Sequence, residues 1–473
     1  MNQTVETVVI GGGIAGLAYA HARGPAADVV VLEASDRPGG LIRTRQFDGG
    51  YVECGPEALQ GDSEEVQTLL QELRINAVPA RASASKRYIA RVAPSAAQGV
   101  WADRDRLDGK LVAVPSGPGS FFGSPILSAG AKLRLFAEPF RSRDGGLEGS
   151  IADFARHRLG PEAAQWLMDP LVSGIYAGDA EQISLRAAFP KVYEMVAQHG
   201  SVFRGMMALM KSRPKGEKRK RGAALYTIEG GLERIPKALA ESLGKRFRSG
   251  VQVNAIQRTA AGWQVTTGAD TLQASRVVLA VPARAAATLL SEVAPQLSRS
   301  LASMRSESVV SVAHTWPRDR VLHPLDGFGY LVPSCLGLRH LGTLFSSSLN
   351  PGRCREDIVL MRTLIGGARH PELVDASKND VLAIIAAETG AFLGLSGLPL
   401  WTHIEYWRDA LPRYDLDHPR RLAEIDSTLK SLPGLSMVGN YCGAIAVNGL
   451  IETSRRLARS HVENRAAIGA HPS

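Results

Sequence analysis

Three glycines and one glutamate carry the first legible chemistry of this chain. In TVVIGGGIAGLAYAHARGP, Val8 to Ile10 form an apolar run of strand type, and Gly11, Gly13 and Gly16 follow as G-x-G-x-x-G at the entry to a helical pattern. The first glycine permits a tight turn, the second lets backbone approach a pyrophosphate, and the third lets helix and strand pack closely. Gly24-Pro25 ends that helix. A second apolar run, DVVVLEAS, closes a strand-helix-strand unit and sets Glu33 twenty residues after Gly13. A carboxylate there accepts both ribose hydroxyls and repels a 2′-phosphate, so NADP is disfavoured while NAD and FAD stay open.

Other reactive side chains form no comparable pattern. Cys54, Cys335, Cys354 and Cys442 are scattered, with no CxxC and no histidine at zinc-finger spacing, so they read as reduced structural thiols and no metal site is expected. His157, His314, His403 and His418 share no spacing, and no nucleophile or acid-base pair stands out; no catalytic side chain is expected. The net charge of +9 is concentrated: residues 201–250 hold thirteen Lys and Arg against four Glu, densest in KSRPKGEKRKRG at 211–222. A run of this kind is usually a solvated loop and less often meets anionic lipid; without interleaved aromatics, nucleic acid is not expected as a partner.

The elements that must position these residues follow from length and pattern. At 473 residues the chain exceeds one ordinary core, and its 45% hydrophobic and 21% charged residues are those of a soluble globular protein. No apolar run reaches spanning length, and MNQTVETVVIGGG lacks a basic leader, so a cytoplasmic N-terminus is expected. SEEVQTLLQELRI reads as an amphipathic helix with Val66, Leu69, Leu70 and Leu73 on one face. Residues 80–115 read as irregular structure ending in a short hairpin. SIADFARHRLG is a helix capped by Ser150, and PEAAQWLMDPL another with Pro161 in its first turn. ALYTIEGGLERIPKALAESLG gives strand, glycine turn and helix, and 250–283 a run of short strands. LSMVGNYCGAIAVNGLIETSRRLAR repeats the physics of the N-terminus, an apolar strand and glycines leading into a helix start.

The stretch EASDRPGGLIRT at 33–44, with an arginine and a glycine pair after the ribose acid, resembles the extended motif of FAD-containing oxidases, and GYVECGPEAL at 50–59 resembles their flavin-contacting turn. The cofactor expected is therefore FAD. LVSGIYAGDAEQIS at 171–184 resembles a segment of the oxygen-dependent protoporphyrinogen oxidase family within the flavin amine oxidase superfamily. LEASDRPGG, KRYI, GKLVAVP, FPKVYEMVAQHGS, DGFGYLVP, LIGGAR and GNYCGAIAVN agree in order, and together they cover most of residues 5–460. The resemblance implies stepwise oxidation of a porphyrinogen with O2 as acceptor, giving H2O2. Flavin would carry the chemistry while the protein orients the substrate.

Carried over by position, Gly11, Gly12, Gly13, Ile14, Ala15, Gly16, Glu33, Ala34, Arg37 and Gly40 are expected on the ADP half of FAD. Leu41, Gly55, Pro56, Glu57 and Ala58 are expected on the flavin side, with Val253 at adenine and Asn440, Ile445, Ala446 and Val447 completing the site. Arg87 matches the family's propionate-binding arginine, a role suited to a two-pronged guanidinium. Gly174 and the apolar Leu331, Leu344 and Leu364 are expected to enclose the macrocycle; by spacing alone the leucines would be core residues.

The fold implied is an α/β FAD-binding domain, Rossmann-like and of the glutathione-reductase and amine-oxidase type, assembled from 1–86, 222–295 and 405–465. An α+β substrate domain would span 296–404 and a helical membrane-associating domain 87–221. GSFFGSPILSAGAKLRLFAEPF at 119–140 mixes aromatics, leucines and Lys132 and Arg134, a composition suited to one membrane leaflet. Peripheral attachment at the cytoplasmic face and a homodimer are expected with it. Arg413, Asp417 and Gly449 depart from the family pattern, and residues 88–107 are longer than in compact relatives. Two rival readings stay open: a coproporphyrinogen III oxidase of the same fold, favoured by extra basic residues in the cavity, and a non-catalytic FAD or porphyrin carrier. An amine oxidase is disfavoured by the absence of an aromatic pair to flank the amine.

Overall fold

The computed structural model describes residues 2–61, 63–92, 109–141, 145–211, 225–268, 270–350 and 352–469. The apolar N-terminal run forms the strand Asn2–Ile10, and Gly13 starts the helix Ile14–Ala22. The strand Val29–Leu32, buried throughout, returns parallel to the first, with Ile10 opposite Leu32. Strands buried on both faces read as continuous apolar runs, which is why this unit is so legible.

The same sheet takes strands from two later stretches. Thr271–Leu279 pairs parallel with Asn2–Ile10, and Leu435–Met437 pairs parallel with Thr271–Leu279 on its other side. Val253–Thr259, Gly262–Thr267 and Thr271–Leu279 form an antiparallel meander, as the run of short strands predicts. Three distant parts of the chain thus build one sheet, with helices Ile14–Ala22, Arg234–Leu243 and Val447–Gly469 packed in a shared apolar core on one side.

A second sheet of seven strands runs in the order Trp401–Pro412, Ser306–Pro317, Ile358–Gly366, His340–Leu344, Gly329–Leu331, Tyr88–Val92 and Gly109–Ala113. Two expected boundaries fall inside it. Tyr88–Val92 and Gly109–Ala113 form an antiparallel pair that begins well before the short hairpin expected at the end of 80–115, and it pairs through Tyr88 and Ile89 with Tyr330 and Leu331 rather than joining the helices that follow. Trp401–Pro412 runs through the boundary set at 405 because its pairing with Ser306–Pro317 is continuous from Trp401 to Pro412 apart from one bulge. The longer insertion anticipated at 88–107 lies mostly outside the described residues, as does the basic run from 212 to 222.

Between the hairpin and the return to the first sheet lie helices. Ser150 caps Ile151–Arg158 through a reciprocal box with Asp153. The helix expected from Pro161 widens into a π-turn at Ala164–Met168 before Asp169–Tyr176. Pro170 brings no N–H to the ladder, and the wider turn absorbs the loss.

Candidate functional site

The glycine loop has the geometry its spacing predicts. Gly11 adopts φ +108°, and a Cβ there would lie 2.4 Å from the Ala280 carbonyl oxygen. A Cβ on Gly16 would lie 2.1 Å from the Gly11 oxygen, whereas one on Gly13 would meet nothing within 4 Å. Gly13 caps the helix without any side chain accepting from its first turn. The first N–H groups of the helix, carrying the positive end of its dipole, therefore face open space of the kind a pyrophosphate needs.

Glu33 stands at the end of the second strand with both oxygens engaged. Oε2 accepts from the Gly12 N–H at 2.6 Å, and Oε1 accepts from the Ser35 N–H and hydroxyl. Ala34 is exposed beside it, and the Ser35 carbonyl accepts from Gly250 while the Glu33 carbonyl accepts from Val251. Those contacts bring Val253, at the head of its strand, to the same end of the sheet. Arg37 donates to the Gly40, Pro38 and Ile42 carbonyls and so folds the loop carrying Gly40 and Leu41 back toward Gly13, where Gly13 bridges Gly39. Ile14 and Ala15 are buried in the first turn of the helix.

The turn Gly55 to Ala58 follows the strand Gly50–Glu53. A Cβ on Gly55 would lie 2.0 Å from the Leu41 oxygen, so only glycine lets these two segments touch. Asn440 donates to the Ala410 carbonyl, and Ile445, Ala446 and Val447 lead into the last helix, whose Asn448 exchanges two hydrogen bonds with the backbone of Gln60. The glycine loop, Glu33, the loop at Gly40 and Leu41 and the turn at Gly55 are thus tied together beyond the C-terminal ends of the parallel strands, while Val253 follows Val251, which donates to the Glu33 carbonyl. The open N-terminus at Gly13, the acid beside it and the packed glycines fit a dinucleotide.

The second sheet gathers the leucines expected to line the substrate on one face. Leu331, Gly342 and Leu364 lie in one row across three strands; Gly329, Leu344 and Arg362 lie in the next row on that face. All three leucines are half-buried, while Tyr330, Thr343 and Thr363 on the opposite face are fully buried. Gly174 meets this wall directly, since a Cβ there would come within 2.6 Å of Leu331 Cδ2. Leu171 and Ile175, one helical turn apart on the same helix, keep large exposed apolar surfaces. Arg87 precedes the strand Tyr88–Val92, level with Gly329; it is exposed, with its guanidinium carbon 5.4 Å from the Phe328 ring centre. The five residues expected to hold the substrate are thus brought to one end of one sheet.

Several contacts fasten this wall to the flavin-side turn. Trp407 Nε1 donates to the Cys54 carbonyl, Arg43 pairs with Glu405 at 2.9 Å, and Arg362 donates to the carbonyls of Glu53 and Gly55. Glu57 sits between Arg353 at 3.1 Å and Arg362 at 3.2 Å, and Glu53 faces Arg353 at 3.5 Å. Burial pushes Glu53 up to about 7, an effect the Arg353 charge opposes. The sequence reading missed Arg353, Arg362 and Glu53. Arg362 left a signal, a lone charge in the apolar strand IVLMRTLIG; Arg353, in an ordinary loop sequence, left none.

Two histidines are held by contacts within the fold. Burial pushes His314 down to about 3, with its ring between Trp316 and Thr363, and His418 down to about 4, stacked 4.1 Å from Tyr414. Burial and the nearby Glu405 push the Cys54 thiol up to about 12. Cys54, His403 and Glu405 stand close enough to suggest metal ligands, but Arg43 already occupies Glu405 and the charges of Arg362, Arg43 and Arg45 bear on the thiol. That positive surrounding opposes a dication. Of the family departures, Arg413 is used structurally: it pairs with the buried Glu307 and reaches Gln182. Asp417 stands at the N-cap position of the helix His418–Ser431 without a side-chain capping bond, and Gly449 lies half-buried where a Cβ would approach Ala444 Cβ at 3.1 Å.

Comparison with known proteins agrees with this geometry. Residues 14–460 match the model of the flavin containing amine oxidoreductase family. The chain is 30% identical over 480 residues to the chloroplastic protoporphyrinogen oxidase of Oryza sativa subsp. japonica, covering 95% of this chain and 86% of that protein. It is 26% identical over 471 residues to the coproporphyrinogen III oxidase of Bacillus subtilis, covering 95% of this chain and 96% of that protein. A crystal structure from Exiguobacterium sp. shares the fold, with a TM-score of 0.78 at 22% identity over 97% of this chain and 98% of that one.

Proposed function

The chain belongs to the flavin containing amine oxidoreductase family, and from that premise we propose that it oxidises protoporphyrinogen IX to protoporphyrin IX with O2 as the terminal acceptor. Each pair of hydrogen atoms removed from the macrocycle then reduces one O2 to H2O2. Bound FAD supplies the redox chemistry, and Gly13 with Glu33 would hold its ADP half while Gly55 to Ala58 would border its flavin half. The observation that carries the reading is the apolar wall of Leu331, Leu344 and Leu364, faced by Gly174 and set against that turn.

The protein's own part is to bind and orient. A flat apolar wall would bury the macrocycle and exclude water, with Gly174, packed directly on Leu331, at its border. Arg87 is exposed and level with Leu344, positioned to grip a propionate at the rim. Two arginines nearby turn their terminal nitrogens elsewhere: Arg91 lies 3.6 Å over the Trp166 ring and reaches the Ile126 carbonyl, and the Nη groups of Arg362 hold the turn. This supports the two propionates of protoporphyrinogen over the four of coproporphyrinogen III, the substrate named for the Bacillus relative.

A greasy substrate suits the third feature of the reading, contact with one membrane leaflet at the cytoplasmic face. Helices Pro118–Gly123, Ala129–Phe136 and Val202–Lys211 and the single turn Glu138–Phe140 expose Phe122, Leu133, Phe136, Phe203, Met210 and Phe140, with Phe140 84% exposed. Arg204 and Lys211 border an apolar hollow formed by Phe136, Phe140, Phe203 and Met207. Apolar side chains ringed by cations suit an anionic leaflet. No helix among the described residues is long and apolar enough to cross a membrane. Homodimer formation is part of the same proposal and is read from molecular mass in solution.

The substrate reading is tested by mixing FAD-loaded protein anaerobically with protoporphyrinogen IX. Bleaching of the flavin, reversed by air with H2O2 release, is expected. Flavin that stays oxidised would favour the carrier reading instead.

A further inference from the structure

We propose that Arg362 is a positioning residue that locks the flavin-side turn Gly55 to Ala58 against the substrate wall and thereby sets both FAD affinity and the geometry of the reaction. The inference rests on the FAD site and not on which porphyrinogen is oxidised.

Arg362 occupies the row of Leu344 and lies two residues from Leu364, so its backbone is part of the wall. Its side chain, 4% exposed, leaves the wall and ends on the turn. Nη1 donates to the Glu53 carbonyl at 2.9 Å and to the Gly55 carbonyl; Nη2 stands 3.2 Å from Glu57 Oε2. On the far side of the same carboxylate, Arg353 Nη2 donates to Glu57 Oε1 at 3.1 Å. The two oxygens of Glu57 are therefore gripped by two different guanidinium groups, and Leu41 closes the turn from below by its contact at Gly55. Nothing is left for the turn to slide along.

Burying four charges here is an expensive way to stabilise a fold, because apolar residues of similar volume would serve as well or better. What ionic groups add is geometry: planar guanidinium forks define the spacing of the two segments they join. The Nε–H groups of Arg362 and Arg353 are buried without a hydrogen-bond acceptor among the described residues, as are those of Arg23 and Arg134 elsewhere, so it is through the Nη groups that Arg362 fixes the turn expected to border the flavin against the wall.

The test uses Arg362→Met and Arg362→Lys in the full chain, with FAD affinity measured by titrating apoprotein and the flavin environment by visible circular dichroism. Arg362→Met should weaken FAD binding by roughly tenfold or more and change the flavin dichroism. Arg362→Lys keeps the charge without the fork and should fall between. In turnover, kcat should drop more than KM rises. Glu57→Gln combined with Arg362→Met should lose less than the sum of the single changes. Wild-type FAD affinity and dichroism in Arg362→Met, with apo and holo melting points lowered equally, would overturn the proposal and leave a structural ion pair. Should Arg362→Met fail to fold, unaltered FAD affinity and dichroism in both Arg362→Lys and Glu57→Gln would overturn it as well.

Discussion

At the scale of single residues, the site depends on side chains that are absent as much as on those present. Gly174 has no room for a Cβ beside Leu331, so Gly174→Val must push the wall or the substrate aside. Overpacking of this kind costs about 1–3 kcal/mol. We predict at least a roughly tenfold loss of kcat/KM on the porphyrinogen with flavin content unchanged; a variant that instead loses FAD would place Gly174 in the cofactor site. Two buried histidines contribute to the pH response. His314 and His418 are pushed down to about 3 and 4 by burial, whereas in the unfolded chain they take up protons near 6.5. The unfolded state then binds more protons as pH falls from about 6.5 toward 4, so their linkage leaves stability intact above that window and erodes it within. The melting temperature should fall across this range, and less steeply in His418→Phe, which keeps the stack on Tyr414; parallel pH profiles would contradict the assignment. Glycine roles were legible at this scale because spacing alone forces them. Glu53, Glu57, Arg353 and Arg362 were not joined in the sequence, because their pairing spans some 300 residues and no local pattern encodes it.

At the scale of elements, legibility followed the completeness of each local signal. Ser63 and Ser150 cap the helices Glu64–Glu72 and Ile151–Arg158 where their sequences place them, and Val66, Leu69 and Leu70 are buried as their period requires. The strand Tyr88–Val92 was hidden in a charged, small-residue stretch and was assigned to the wrong neighbours, since pairing with Gly329–Leu331 is decided by tertiary contact rather than propensity. The element with the most direct functional consequence is the exposed helical surface. Phe140→Ser together with Phe203→Ser should abolish flotation with anionic liposomes while leaving oxidation of detergent-solubilised substrate within about twofold, since each change removes apolar contact worth ~1.5–3 kcal/mol when fully buried. Unchanged flotation would show that another surface meets the lipid.

At the scale of the whole molecule, two sheets divide the work. The first gathers strands from 2–32, 247–279 and 435–437 so that glycine loop, acid and final helix meet at one end. The second turns its leucine face toward that end and is fastened there by Trp407, Glu405 and Arg362. Such an arrangement needs no general base, because binding and exclusion of water are what an oxidised cofactor requires of its protein. The most direct test of the substrate assignment is porphyrin fluorescence in air after adding FAD-loaded protein to protoporphyrinogen IX and, separately, to coproporphyrinogen III, against a protein-free control. Flavin-dependent formation of protoporphyrin well above autoxidation, and faster than formation of coproporphyrin, is expected. Equal traces with and without protein for both substrates, or a clear preference for coproporphyrinogen III, would contradict it.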